Sequence, residues 1–273
     1  MGFRTILRQL ELQTSQLDIQ QYIDAALALP RYDDPRRLSR HGFKAYSQGD
    51  EDGIIAEIFR RISAPKRTFV EFGVQTGIEC NSLYLLAQGW SGLWIDADRA
   101  ACAAIKKDII PHLRPGALTL INDYVKVDNI NALIGGHYSG GDLDFLSIDI
   151  DHNDYWVWQA IDVVRPRVVC IEYNAIWRPP VSVTVPYEAE AGWSGSNYFG
   201  VSLAALNQLG HAKGYDLVGC SLTGANAFFV RSDLIGAHFF KPGSAEAHFE
   251  PARYFLAQQT AGHRPGFGPL ASI

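Results

Sequence analysis

Residues 68–98 read TFVEFGVQTGIECNSLYLLAQGWSGLWIDAD, and this stretch decides the fold. Thr68–Phe72 is a short β-branched and aromatic run, a strand signal that breaks at the turn Gly73-Val-Gln75-Thr-Gly77. The spacing that follows predicts a helix over 79–88, and Gly92–Asp96 then reads as a second strand. Two short apolar strands joined through a glycine turn and a helix make a βαβ unit, so the strands are expected to be parallel.

The same alternation continues in both directions. Leu118–Asn122, Asp144–Ile150 and Arg167–Glu172 read as three more strands, with helices over 98–108 and 154–163. A helix over 199–213 precedes two last strands, 215–220 and 226–231. The Gly-containing turn SLTGA between those two predicts an antiparallel hairpin closing one edge. The expectation is an α/β fold, a doubly wound, mostly parallel seven-stranded sheet with helices on both faces. Upstream, GDEDGIIAEIFRRI (49–62) has the acidic start and apolar spacing of a capped helix. Residues 4–29 suggest one or two amphipathic helices, and the Arg-rich stretch 31–48 reads as a long loop.

Composition narrows the function. The chain of 273 residues has 24 Lys and Arg against 29 Asp and Glu, a net charge of −5, and is 47% apolar and 19% charged. That is the make-up of a globular protein and argues against nucleic acid as the main partner. No apolar run reaches the ~18 residues of a membrane helix. The charged, Gln-rich N-terminus lacks the pattern of a signal peptide, so a cytoplasmic protein is expected. Cys80, Cys102, Cys170 and Cys220 show no C-x-x-C spacing and read as buried thiols, neither disulfides nor a zinc site.

In sheets of this type ligands bind at the carboxyl ends of the strands, where strand order reverses. Those ends carry Glu71 with Gly73, Gln75 and Gly77; Asp96 and Asp98; Asn122 and Asp123; Asp149, Asp151, His152 and Asn153; and Glu172 with Asn174. Five such polar ends predict a pocket for a ligand bearing hydroxyl and ammonium groups. No G-x-x-x-x-G-K-[ST] phosphate loop occurs. Gln75 stands at the middle of the first turn, where a dinucleotide loop has glycine, and Glu71 and Glu79 place carboxylates beside it. Negative charge suits a sulfonium or ammonium better than a pyrophosphate, and Asp96 is spaced to accept from ribose hydroxyls. S-adenosylmethionine is therefore favoured, with a nicotinamide dinucleotide and oxidoreductase chemistry as the alternative. A non-catalytic partner-binding protein is a third reading.

The segments EFGVQTGIECNSLYLL, GLWIDAD, LINDYV, DFLSIDIDHNDYWVW and PRVVCIEYNA resemble the FkbM-like branch of the S-adenosylmethionine-dependent methyltransferases. The likeness runs from SQGDEDGIIAEIF to NAFFV, residues 47–231. It implies a Rossmann-like class I methyltransferase domain over 47–240, between an N-terminal helical and loop extension (1–46) and a C-terminal extension (241–273). Carried onto this chain, Glu71, Gly73 and Gly77 would line the methionine and ribose part of the cofactor and Asp96 would bind the ribose hydroxyls, with Gln75 and Asn81 also expected to be cofactor-binding. Asn122 and Asp123 would border the adenine, and Asp149 the methionine end. His152 departs from the family's pattern, where glycine is expected, and so does Gln75, where small residues are more common.

An oxygen acceptor of a small metabolite or sugar-like product needs a base, and His152, with Asp151 beside it, is the candidate. Asp149, Asp151 and Glu172 could alternatively hold Mg²⁺, although Tyr173 stands where such sites often have a second acid. Glu172, Asn174, Trp177 and Tyr198 are expected on the substrate side, with Trp193 on the long stretch 178–201; Phe199, Trp156 and Trp158 read as core. Arg36, Arg37, Arg40 and Lys44 form a basic cluster, read first as a solvated loop and second as a contact for an anionic substrate. The N-terminal region also suits a homodimer contact, with one subunit's Arg-rich loop over the other's pocket.

Overall fold

The computed structural model describes residues 16–138 and 141–257, with the backbone of 271–272. A helix α1 over 16–27 lies within the expected N-terminal helical region, and residues 4–15 of that reading fall outside the described residues. The strands of the main sheet are β1 (Thr68–Phe72), β2 (Ser91–Asp96), β3 (Leu118–Asn122), β4 (Gly141–Ile148) and β5 (Val164–Glu172). A two-residue strand β6 (Val183–Thr184) follows, and then β7 (Tyr215–Cys220) and β8 (Asn226–Arg231).

The sheet order is β3-β2-β1-β4-β5-β8-β7. All pairings through β5 are parallel, while β8 runs antiparallel to both β5 and β7. The predicted seven-stranded, doubly wound sheet with its antiparallel hairpin is thus the fold observed. Strand order reverses between β1 and β4, which places the ligand cleft at their carboxyl ends.

Alternating side chains explain the two covered faces. Val70, Phe72, Leu93, Ile95, Leu146 and Ile148 point into one core, closed by α5 (Ile130–Gly135), α6 (Asp154–Ala160) and α7 (Leu203–Ala212). Phe69, Trp94, Phe145 and Cys170 point into the other, closed by α2 (Glu51–Ile62), α3 (Leu83–Ala87) and α4 (Arg99–Asp108). All four cysteines are buried free thiols. No helix among the described residues is long and apolar enough to cross a membrane.

Several boundaries differ from expectation, each for a local reason. The helix predicted over 79–88 begins only at Leu83, because Glu71 takes the backbone N–H groups of Asn81 and Ser82 and holds them in a turn. The helix predicted over 199–213 begins at Leu203. Ser202 caps it by accepting from Ala205 N, and the residues before it pair with β6. Helix α6 stops at Ala160, since Ile161 is already extended on the way into β5. Helix α5 and strand β6 were not anticipated, nor was β9 (Ala271–Ser272), which pairs antiparallel with β6.

The segment after β8 carries a short helix α8 (Ala245–His248) and is tied to the N-terminal loop through one buried carboxylate. Glu250 accepts from Tyr32 Oη at 2.8 and 2.9 Å, Arg31 Nη2 at 3.0 Å and Arg253 Nη1 at 2.8 Å. The basic cluster is engaged as well. Arg36 pairs with Asp34, Arg40 with Asp33, Arg37 stacks 3.7 Å over the Phe240 ring, and Lys44 donates to Gln48 O. These are bonds within and around the loop, so they favour the structural reading of the cluster over an anion contact.

Candidate functional site

At the reversal point, the turn after β1 sits directly on the loop after β4. Gly73 has φ +79°, and a Cβ there would stand 1.6 Å from the Asp149 carbonyl oxygen. Gln75 is itself left-handed at φ +49°. Its N–H donates to Asp96 Oδ2 at 2.6 Å, which fixes the turn on the end of β2. Asp96 Oδ1 accepts from Asp98 N at 2.8 Å. Each Asp96 oxygen therefore keeps a second lone pair for a ligand. Burial pushes the Asp96 carboxyl up from its ordinary range, and the two backbone donors pull it back.

Other predicted residues brace this frame. Glu71 is buried and accepts from Asn81 N at 2.8 Å, Ser82 N at 2.9 Å and the Ser82 hydroxyl, which itself accepts from the Trp94 indole N–H. Asn81 Nδ2 donates to Ser147 Oγ at 3.0 Å. Asn122 Nδ2 donates to the carbonyls of Asp96 and Ala97, and Asp123 Oδ1 takes Tyr124 N. A Cβ on Gly77, at φ +77°, would meet the Trp94 ring at 2.7 Å.

Two larger lobes open from this frame, beside a small cavity of about 60 Å³ lined by Glu71, Gly73, Gln75, Asn81 and Asp149, among others. One, of about 230 Å³, is lined by Gly73, Gln75, Asp96, Asp98, Asp123 and Tyr124, among others. The other, of about 450 Å³, is lined by Gln48, Glu51, Glu172, Trp193, Phe199 and Tyr254, among others. Gln75, Asp149 and Asp151 line both, so the lobes meet there. Among the described lining residues of both lobes there is no Lys, Arg or His.

At the junction, Asp149, Asp151 and Glu172 bring one carboxylate oxygen each within 4.8 Å of one another. Burial, and then the charges of their acidic neighbours, push Asp149 and Glu172 well above the carboxylate range. Asp151 sits at φ +65°, unusual for a residue with a side chain. Beneath them Asp154 is fully buried, accepts from Ile150 N at 2.9 Å, and is pushed up to about 7, chiefly by burial.

The remaining candidates divide. His152 is buried at 8% exposure, with its Nε2 3.3 Å from the Pro186 carbonyl oxygen, and it does not line either lobe. Asn174 is fully buried and holds the carbonyls of Asn197 and Phe199 at 2.9 and 3.0 Å. Trp177 and Tyr198 flank the same segment without lining the larger lobe, whereas Trp193 and the buried Phe199 do line it. Tyr254, Gln48, Glu51 and Thr223 escaped the sequence reading. They come from distant parts of the chain, joined where Asp50 accepts from Leu222 N at 3.0 and 3.1 Å, and no local motif marks them.

No family model matches this chain, and no curated protein does. Solved structures do match. Magnesium protoporphyrin IX methyltransferase (ChlM) from Synechocystis PCC 6803 with bound SAH shares 13% identity over 67% of this chain and 82% of that one, at a TM-score of 0.46. The same enzyme with bound SAM gives 12% identity over 80% and 97%, also at 0.46. A TehB-like SAM-dependent methyltransferase from Corynebacterium glutamicum shares 16% identity over 80% and 98%, at 0.40.

Proposed function

We infer that this protein is an S-adenosylmethionine-dependent methyltransferase that acts on a hydroxyl group of a small metabolite or sugar-like compound. The observation that carries the reading is the smaller lobe. Its polar wall is Asp96, Asp98, Asp123 and Asp149, set around a left-handed glycine turn, with no basic side chain among the described lining residues. Carboxylate acceptors fit the hydroxyl donors of a ribose and the positive charge of a sulfonium, and they repel a pyrophosphate. That chemistry favours S-adenosylmethionine over a nicotinamide dinucleotide. When bound, the cofactor supplies a methyl group activated by the sulfonium.

The chain's own part is alignment and exclusion of water. Asp96 holds the ribose hydroxyls through its remaining lone pairs, and Gly73 lets the turn lie against Asp149. Trp193, Phe199 and Tyr254 line the larger lobe and offer the acceptor apolar surface there. The predicted base, His152, serves in this reading as a brace for the 183–188 segment, because its ring faces the Pro186 carbonyl.

Calorimetric titration with S-adenosylmethionine, S-adenosylhomocysteine and NAD tests the cofactor. S-adenosylmethionine and S-adenosylhomocysteine should bind, and NAD should not. Asp96→Ala should weaken that binding by ~1–3 kcal/mol, since it removes the hydroxyl acceptor and leaves the Gln75 and Asp98 N–H groups unpaired. Unchanged affinity would remove Asp96 from the cofactor site. His152→Ala should keep turnover near that of the parent and lower stability by ~1 kcal/mol. A fall in turnover of ~10²-fold or more with the cofactor still bound would return the imidazole to the role of base.

A further inference from the structure

We propose that Glu51, Asn226 and Glu172 form a subsite for a primary ammonium group, and that the molecule methylated in the larger lobe is a hydroxylated amine, such as an amino sugar. That the amine belongs to the methyl acceptor rests on the methyltransferase reading; the ammonium subsite does not.

The subsite joins distant parts of the chain. Glu51 opens α2, and Asn226 opens β8 directly opposite Glu172 on β5. Cys170 and Phe228, two residues along these strands, point into the core under α2. The side chains of Glu172 and Asn226 therefore lie on that same face, beside the start of α2. Asn226 Nδ2 donates to Glu51 Oε1 at 3.1 Å, and Gly49 N donates to Glu51 Oε2 at 2.8 Å. Glu51 is 1% exposed and Asn226 is 6% exposed, so the pair is preformed and held away from bulk water.

Two observations point to a ligand that donates hydrogen bonds. The first is the Asn226 amide. The Glu51 carboxylate can only accept, which fixes Nδ2 toward it and turns Oδ1 away. That oxygen is buried and accepts no hydrogen bond among the described residues. Asn226 lines the small cavity of about 60 Å³, which shares Gln48, Gln75, Glu79 and Asp149 with the larger lobe. Such a volume takes a small head group and no ring. The second is Glu172 Oε2, across the strand pair, which is also buried and accepts no hydrogen bond. Both orphaned atoms are acceptors, and each is costly until a donor reaches it. With the second lone pairs of Glu51 they make three acceptors, the number that an ammonium with three N–H groups satisfies.

Charge selects an ammonium over a neutral hydroxyl. The larger lobe carries five carboxylates, Glu51, Glu79, Asp149, Asp151 and Glu172, and no Lys, Arg or His among its described lining residues. A cation seated there gains from all five, and it offsets the mutual repulsion that, after burial, pushes Asp149 and Glu172 up. The cofactor carries an ammonium of its own, but none of the three subsite residues lines the smaller lobe, and Glu51 and Glu172 line the larger one. That placement assigns the site to the acceptor. A protonated amine has no lone pair, so the nitrogen is held without being methylated. The hydroxyls on the rest of the molecule, in the lobe of about 450 Å³, are left for transfer.

The test is calorimetry on the full chain with glucosamine, galactosamine and tyramine, each against its N-acetyl form, in the presence and absence of S-adenosylhomocysteine. Binding of S-adenosylhomocysteine is measured separately. At least one amine should bind, and acetylation, which removes the charge and two of the three donors, should weaken it at least tenfold. This comparison needs no variant. Glu51→Gln should weaken the amine at least tenfold and leave its N-acetyl form unchanged, and Asn226→Ala should act in the same direction. Unchanged S-adenosylhomocysteine affinity shows that both variants are folded. Failure of all three amines to bind, equal binding of the acetylated forms, or an amine affinity that Glu51→Gln leaves intact overturns the subsite. If the variants weaken S-adenosylhomocysteine and not the amine, the ammonium held there is the cofactor's, and the amine-bearing acceptor is overturned. If an amine binds as expected and S-adenosylhomocysteine does not bind at all, the subsite stands and the methyltransferase reading fails.

Discussion

Gly73→Ala is expected to abolish cofactor binding and to lower stability by ~3 kcal/mol or more. Two effects combine. The residue sits at φ +79°, where a side chain costs ~1–2 kcal/mol. Its Cβ would also stand 1.6 Å from the carbonyl oxygen of Asp149, which is backbone and cannot rotate away. The loops after β1 and β4 must then separate, and they are the floor of both lobes. Gly89→Ala is the control: Gly89 is also left-handed, at φ +85°, but has nothing within 4 Å of the added carbon, so only the conformational term remains. Urea unfolding of the two variants, with S-adenosylhomocysteine calorimetry, separates the terms. Equal stability losses in both would show that the loops accommodate the methyl group.

Glu71→Ala is expected to cost ~2–4 kcal/mol of stability, because three buried donors lose their acceptor at once. The carboxylate is 3% exposed and answers two backbone N–H groups and the Ser82 hydroxyl, through which the Trp94 indole is also held. Its loss leaves those donors buried and unpaired. Glu71→Gln should cost less, since one amide oxygen still accepts. Denaturant unfolding, followed by tryptophan emission, measures both. A loss below ~1 kcal/mol for the alanine variant would mean that water replaces the carboxylate.

The fold was legible because its signal is repetitive. TFVEF, GLWID and RVVCIE are too short and too evenly apolar for surface helices, and the glycine turns between them leave few other arrangements. The polar strand ends were legible for the same reason, since a doubly wound sheet collects them at one edge, and Asp96 and Gly73 stand where expected. What local sequence could not show is how each polar group is used. Glu71 and Asn174 look like ligand-binding residues in the sequence; Glu71 lines a small cavity and also holds the turn after it, while Asn174 is fully buried against its own chain. His152 looks like a base, but its partner, Pro186, lies on a loop whose path no pattern reveals. Tyr254 and Thr223 belong to the larger lobe only through long-range packing.

The clamp at Glu250 bears on how this protein can change its preferences over evolutionary time. Tyr254 and Ala257, on the far wall of the larger lobe, are carried on the segment that Arg31, Tyr32 and Arg253 pin through that one carboxylate. The smaller lobe is built from the ends of β1 to β4 and the 191–192 segment, and takes nothing from that wall. Exchange of residues 251–257 is therefore expected to reshape the larger lobe without disturbing the smaller one, provided Glu250 and its three partners travel together.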